Sequence, residues 1–192
     1  APLKGRCLVV GAGKAAASMA VALEQYAQEH WPEAKLEGMV ITRYGHGLPT
    51  KLIQVIEAGH PVPDEAGLNG AKETLRLIRT LQPGDQLIAL ISGGGSSLLT
   101  LPAADLSIQD LQITTQALLM SGAPIGQMNI VRKHLSAILG GHMAREAASR
   151  GAKVDAFLIS DVTGDHPSSI ASGPCAPDES TFADALQILK DY

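Results

Sequence analysis

The run Arg6-Cys7-Leu8-Val9-Val10, followed by Gly11-Ala12-Gly13-Lys14, decides the fold of this chain. The first segment is short and mostly apolar, which predicts a buried strand, and the small residues after it predict a tight turn. An alanine-rich stretch from Lys14 to about Glu29 then follows a helical pattern. A strand, a glycine turn and a helix in this order form the first unit of an α/β fold.

The same alternation continues along the chain. Further strands are predicted at 38–42, 52–58, 87–91 and 154–159. Further helices are predicted from residue 64 or 65 until Pro83-Gly84, over 107–120, from 124 onward, and over 181–190. Strands that alternate with helices favour a mainly parallel sheet that is covered on both faces. The expected fold is therefore a three-layer α/β/α, Rossmann-like domain that spans residues 1–192.

Composition narrows the classes of function. A chain of 192 residues with 45% hydrophobic and 18% charged residues can bury the core of one large domain. The net charge of -4 leaves no broad basic surface, so a nucleic-acid partner is not expected. No apolar run approaches the roughly 20 residues that span a bilayer, which leads us to expect no membrane association and a cytoplasmic location. The two cysteines lack the paired spacing of a zinc site or a redox motif.

The chain starts without Met and stops at Tyr192, in or just after a helical pattern. We therefore expect a fragment of a longer protein.

The first candidate site is the turn Gly11-Ala12-Gly13-Lys14. Backbone N–H groups and the Lys14 ammonium could converge there on a phosphate or carboxylate. The turn is not a Walker A loop, and it matches only the start of a dinucleotide fingerprint, because Thr42-Arg43 stands where an acidic residue is expected. Arg43 leaves a 2′-phosphate interpretation open. The alternative is a close structural turn with Lys14 in solvent.

The second candidate is Ser92-Gly93-Gly94-Gly95-Ser96-Ser97, which contains too much glycine to predict regular structure. Its backbone and hydroxyl donors could wrap an anion. A hydrolase nucleophile fits poorly, because the glycine that closes a nucleophile elbow is absent. A flexible surface loop is also a weaker alternative, since apolar residues flank the segment on both sides.

Two more segments carry candidate ligands. Asp161 and Asp165 follow a predicted buried strand and would suit Mg²⁺, although either could simply cap a turn. Asn129, Arg132 and Lys133 would make a carboxylate or phosphate clamp, unless they form an ordinary solvated helix face. His60 precedes a proline, and we expect it to fix a turn rather than to take part in catalysis.

Six segments, found in one order, closely resemble the bacterial glycerate 2-kinase family, whose members also carry the name hydroxypyruvate reductase of tartrate degradation. The segments are 11–16, 44–47, 59–64, 92–96, 129–141 and 160–174. The resemblance implies an enzyme of two α/β domains, with ATP and Mg²⁺ in a cleft between them, that converts D-glycerate to 2-phosphoglycerate. This chain would be the amino-terminal domain, and the second domain and a second essential basic residue would lie outside it.

By the same resemblance, Lys14 matches the family's essential lysine, while His142 replaces a longer residue that usually follows the double glycine. The predicted catalytic residues are Lys14, Asp161 and Asp165, with both aspartates as metal ligands. The predicted nucleotide- and substrate-binding residues are Gly11, Gly13, Ser92, Gly93, Gly94, Gly95, Ser96, Asn129, Arg132, Lys133, Ser172 and Gly173. Two alternatives remain open, an NAD(P)H-dependent hydroxypyruvate reductase and a noncatalytic sugar-acid binding module. A homo-oligomer is also open.

Overall fold

One five-stranded sheet organises the computed structural model, which describes residues 3–192. The strand order is β3-β2-β1-β4-β5, and every neighbouring pair is parallel. The strands are β1 Gly5–Ala12, β2 Ala34–Arg43, β3 Ile53–Ala58, β4 Gln86–Ser92 and β5 Lys153–Ile159. The predicted parallel α/β fold is thus confirmed.

Seven helices connect or follow these strands in the described part of the chain. They are α1 Ala16–His30, α2 Glu65–Ile78, α3 Gly95–Leu98, α4 Ile108–Ser121, α5 Ile125–His134, α6 His142–Ser149 and α7 Phe182–Asp191. Two of them differ from the sequence prediction. Helix α3 begins inside the glycine-rich segment, where we expected no regular structure. Helix α6 has no counterpart among the predicted helices. Its Met143 and Ala147 lie one turn apart, are both fully buried and anchor the helix to the core.

Helices cover both faces of the sheet. Cys7 and Val9 of β1 face a cluster that includes Ala20 and Leu23 of α1. Their neighbours Leu8 and Val10 face the opposite cluster, which contains residues of α2 and α6. This division follows from the alternation of side chains along a strand, and it produces the predicted three layers.

Strand β5 is less buried than predicted. It lies at the sheet edge, and Phe157 and Ile159 are about half exposed, at 50% and 49%. Their partners in register are Leu90 and Ser92 of β4. Leu90 belongs to the cluster packed by α1, so Phe157 and Ile159 lie on that face but beyond the cover of α1.

The parallel arrangement gathers the candidate residues at one edge of the sheet. The carboxyl ends of β1, β3, β4 and β5 lead into Lys14, His60, Gly93 and Asp161, respectively. Loops at this edge of a parallel sheet face a common crevice. Among the residues described, no helix combines the length and apolar character needed to cross a membrane.

Candidate active-site cleft

A cleft of about 1010 Å³ lies at the carboxyl edge of the sheet. One wall comes from the loops after β1, β3, β4 and β5, and the other comes from α5 and the segment before α7. The predicted site residues that line the cleft are Lys14, Gly94, Ser96, Asn129, Arg132, Lys133 and Asp161. The sequence motifs therefore converge in space, although their members differ in role.

The backbone N–H groups of the turn after β1 donate to acceptors within the protein and do not face a ligand site. The N–H groups of Gly13 and Lys14 donate to the carbonyls of Ile41 and Gly93, at 3.1 and 2.9 Å. The N–H of Ala15 donates to Ser92 Oγ at 3.0 Å. These three donors are not available to a phosphate, so only the Lys14 side chain of this turn reaches the cleft.

Gly11 and Gly13 have a packing role, and neither lines the cleft. A Cβ on Gly11 would lie 2.2 Å from the Leu90 carbonyl oxygen, and one on Gly13 would lie 2.1 Å from Ser92 Oγ. Real side chains do not tolerate such distances. Both positions require glycine because β1 and β4 approach each other closely here. Ser92 is likewise buried and bonded to the turn, so we assign it to support rather than to ligand contact.

The three central glycines bring cleft residues close to the backbone. A Cβ on Gly93 would lie 1.9 Å from Asp161 Oδ2, and one on Gly95 would lie 2.6 Å from Ala171 Cβ. A Cβ on Gly94 would lie 2.8 Å from His60 Nε2 and 3.3 Å from Lys14 Cε. The triplet thus allows a carboxylate, an imidazole and an ammonium-bearing chain to meet around one loop.

The same loop offers backbone donors. The N–H groups of Gly94, Gly95 and Ser96 meet no acceptor within the described part of the chain, as expected for the first turn of a helix. Ser96 Oγ lies 2.8 Å from Ser172 Oγ, so its orientation is fixed from behind. Of the predicted loop donors, these three therefore remain candidates for anion binding.

The two aspartates have different positions. Both are exposed, but only Asp161 lines the cleft, beside Gly93, whereas Asp165 has a positive φ of 51° and is not part of the cleft wall. The described residues contain no group of three or more His, Cys, Asp or Glu side chains arranged for a metal. Mg²⁺ commonly uses one or two carboxylates together with substrate phosphates, and Asp161 fits as one such ligand.

Arg132 and Lys133 are adjacent in sequence, but only Lys133 has an acidic partner among the described residues. Lys133 Nζ lies 2.6 Å from Asp178 Oδ1, and both side chains are largely buried. Arg132 donates only to Asn129 Oδ1, at 3.3 Å, and no salt bridge of the described residues includes it. Burial lowers the Arg132 pKa. A half-buried guanidinium without a carboxylate partner favours binding of an external anion, so Arg132 is the stronger clamp candidate.

Lys133 instead holds the segment before α7. Burial opposes ionisation of Asp178, but hydrogen bonds from Lys133 and Ser180 lower the pKa of its carboxyl group below the ordinary value. The positive charge of Lys133 is therefore neutralised by Asp178 within the protein. This pairing makes Lys133 a weaker candidate for ligand binding than Arg132.

Ser172 and Gly173 lie behind the cleft wall and do not line the cleft. Ser172 is fully buried, and a Cβ on Gly173 would lie 2.8 Å from Ser168 Cα. Ala171 and Ser172 have φ values of 50° and 57°, a left-handed conformation that costs about 1 kcal/mol or more for each non-glycine residue. This strained turn, Ile170–Ser172, supports Ser96 and places Ala171 in the cleft wall.

Sequence reasoning missed His60 as a residue of the cleft. It lines the wall together with Lys14, and Ser168 and Ser169, which precede the strained turn, also line it. The position of His60 just after β3 was a usable signal, because ligands bind beyond the carboxyl ends of parallel strands.

Arg43 does not support a nicotinamide site. Its Nε lies 2.6 Å from His46 Nε2. Neither residue lines the cleft, so the open 2′-phosphate interpretation gains no support from the geometry.

The fold and site together define a parallel α/β domain with a cleft whose wall includes the glycine-rich loop, Lys14 and Arg132. The family model described as "Domain of unknown function (DUF4147)" matches residues 2–192. The chain belongs to this family.

Relatives in this group include named kinases. "Glycerate 2-kinase" of Pyrococcus horikoshii is 44% identical over 99% of this chain and 41% of its own length. "D-glycerate 2-kinase" of Thermotoga maritima is 45% identical over 97% of this chain and 44% of its own length. An Agrobacterium vitis protein named "Putative hydroxypyruvate reductase" is 51% identical over 98% of this chain and 42% of its own length.

The crystal structure of glycerate kinase from Thermotoga maritima superposes with a TM-score of 0.87, at 43% identity. The match covers 98% of this chain and 44% of that structure. The chain thus spans less than half the length of the relatives it matches.

Proposed function

We propose that this chain is the amino-terminal domain of a glycerate 2-kinase, which transfers the γ-phosphoryl group of ATP to the 2-hydroxyl of D-glycerate. The observation that carries the proposal is the pair of cations, Lys14 and Arg132, which face one cleft without an acidic partner among the described residues. Both reactants are anions, and a cation that has no acidic partner in the protein can bind a carboxylate or phosphate group of either one. The names of the relatives support the same reaction.

Phosphoryl transfer requires in-line placement of donor and acceptor and neutralisation of the charge that spreads over the phosphoryl oxygens. In the proposed reaction the glycerate hydroxyl oxygen forms a bond to the γ-phosphorus while the bond to the ADP oxygen breaks. Lys14 and the N–H groups of Gly94, Gly95 and Ser96 would stabilise the phosphoryl oxygens. Arg132, oriented by Asn129, would grip a carboxylate or a phosphate.

Asp161 would hold Mg²⁺ in this cleft. Held there, Mg²⁺ would supply positive charge that offsets the charge of the nucleotide phosphates. Asp161 fits this function because its carboxylate lies against Gly93. Gly93 belongs to the loop whose Gly94, Gly95 and Ser96 N–H groups have no acceptor among the described residues.

The rest of the proposed enzyme includes a second domain that closes the cleft and supplies another basic residue. Location in the cytoplasm and assembly into a homo-oligomer remain predictions. The geometry gives no specific support to a nicotinamide-dependent reductase or to a noncatalytic sugar-acid binding module.

Phosphorus NMR of the full-length protein with ATP, Mg²⁺ and D-glycerate tests the proposal. We expect 2-phosphoglycerate and ADP. Formation of 3-phosphoglycerate alone would contradict the assigned hydroxyl. Oxidation of reduced nicotinamide with hydroxypyruvate, without any need for ATP, would establish the reductase instead. Saturable glycerate binding without turnover of either kind would establish the binding module.

A further inference from the structure

We propose that His60 is a catalytic residue of this cleft, whose imidazole accepts the proton of the attacking glycerate hydroxyl. This inference rests on the proposed glycerate kinase function and deepens it. As the oxygen–phosphorus bond forms and ADP leaves, the hydroxyl proton moves to the imidazole and is later released to water. Neither the sequence motifs nor the names of the relatives assign this role.

The position of His60 carries the inference. His60 Nε2 and Lys14 Cε both lie within 3.3 Å of the point that a Gly94 Cβ would occupy. Both residues also line the cleft. A proton acceptor beside Lys14 lies where a hydroxyl must approach a phosphoryl group that the lysine stabilises. Hydrogen-bond reach to the reacting group is the first requirement for a general base.

The loop that carries His60 is fixed. Asp64 caps α2 by accepting from the Gly67 N–H at 3.0 Å, and it accepts from the Tyr44 hydroxyl at 2.8 Å. Its carboxylate also lies close to Gly59, the residue before His60. A Cβ on Gly59 would lie 3.0 Å from Asp64 Oδ2, so glycine permits this return of the loop. These contacts hold segment 59–64 in place, so that the imidazole of His60 lies against Gly94.

The surroundings favour the neutral, proton-accepting imidazole. Burial lowers the His60 pKa, and the positive charges of Lys14, Arg43 and Arg132 lower it further. A hydrogen bond to its own backbone carbonyl opposes this shift. Four acidic groups lie near this part of the molecule. Asp64 accepts the loop hydrogen bonds, Asp161 lies against Gly93, Asp178 is paired with Lys133, and Glu179 lines the cleft wall. At neutral pH the ring is therefore ready to accept a proton.

The experiment compares the full-length wild type with His60→Gln and, as a matched control, His30→Gln on the exposed end of α1. We expect His60→Gln to lower kcat about a hundredfold or more while the KM for ATP changes little. The wild-type kcat should show an acid limb whose midpoint lies below the ordinary histidine pKa of 6.5, because the His60 pKa is lowered and the imidazolium cannot accept a proton. His60→Gln should lose this acid limb, and His30→Gln should keep it.

Normal kcat in a folded His60→Gln enzyme would overturn the proposal, and so would a reduced kcat that keeps the same acid limb. If His60→Gln does not fold, His60→Ala with added imidazole provides the test. Restored turnover would support proton transfer, and absence of rescue in the folded variant would oppose it. A wild type without glycerate kinase activity would instead refute the proposed function itself.

Discussion

Individual side chains in the cleft differ mainly in whether their charge is already neutralised. Lys14 is exposed to the cleft, and its backbone N–H is bound to the Gly93 carbonyl at 2.9 Å. The residue is thus fixed at its backbone and free at its ammonium. This combination suits a group that must meet a phosphoryl oxygen without reorganisation.

Lys14→Ala should therefore reduce turnover of the full-length enzyme at least about a hundredfold, because the lost charge acts mainly in the transition state. The melting temperature should stay near that of the wild type, since the ammonium packs against no acidic partner in the described residues. Steady-state kinetics and thermal unfolding check both claims. Lys72→Ala, at an exposed position of α2, is the control. Near-normal turnover in Lys14→Ala would make this lysine a solvent-exposed residue of a structural turn.

The two aspartates provide a matched pair for the metal. Asp161 lines the cleft and Asp165 does not. We expect Asp161→Asn to raise the Mg²⁺ concentration needed for half-maximal activity about tenfold or more, on the basis that outer or inner ligand losses cost 10- to 100-fold. Asp165→Asn should change it little. A magnesium titration of both variants is the measurement, and identical curves for both would remove Asp161 from the metal site.

At the scale of secondary-structure elements, Glu24 of α1 joins the helix to the start of β3. Its carboxylate accepts from the N–H groups of Lys51, Leu52 and Ile53 at 2.8, 2.7 and 2.8 Å. Burial opposes ionisation, but these three bonds lower the Glu24 pKa below its ordinary value of 4.5. The contact fixes the loop that leads into β3, and the carboxyl end of β3 leads into His60.

Glu24→Gln should lower the free energy of unfolding by about 1 kcal/mol at pH 7, because one acceptor becomes an NH₂ group and the charge assistance is lost. A carboxyl group with a depressed native pKa stabilises the fold above its unfolded pKa and loses that effect as the pH falls through the native pKa. The difference between wild type and variant should therefore shrink below pH 4.5. Denaturant unfolding at several pH values measures it.

Glu29→Gln, at an exposed position on the same helix, should show a much smaller and less pH-dependent effect. A Glu24→Gln difference that stayed constant down to pH 3 would contradict the role assigned to the ionised carboxylate.

Strands such as β1 and β4 could be predicted because they are continuous apolar runs, and long helices such as α2 because their apolar residues recur at helical spacing. Helix α3 could not, since glycine propensity argues against a helix and only the close packing of Gly95 against Ala171 and Ala12 explains its use. Lys14 and Asp161 could be proposed from their chemistry. The pairing of Lys133 with Asp178 joins residues 45 positions apart, and no local pattern reports it.

At the scale of the whole molecule, β5 and α7 are among the elements that expose large apolar side chains. Phe157 and Ile159 lie on the outer part of β5, and Phe182 and Leu186 of α7 are 75% and 53% exposed. Grouped apolar exposure of this kind favours contact with further protein. The relatives are more than twice as long as the matched region, which gives such a contact an obvious source in the proposed full-length enzyme.

The last prediction concerns residues 1–192 expressed alone. We expect this chain to fold, because its sheet is covered by two clusters of buried side chains. We expect no measurable glycerate kinase activity, since a cleft walled by one domain neither excludes water nor aligns both reactants. Kinase assays at equal concentrations of this chain and the full-length protein make the comparison, and circular dichroism verifies folding. Comparable specific activity would show that the catalytic apparatus is complete within these residues, and the two-domain account of the cleft would then be wrong.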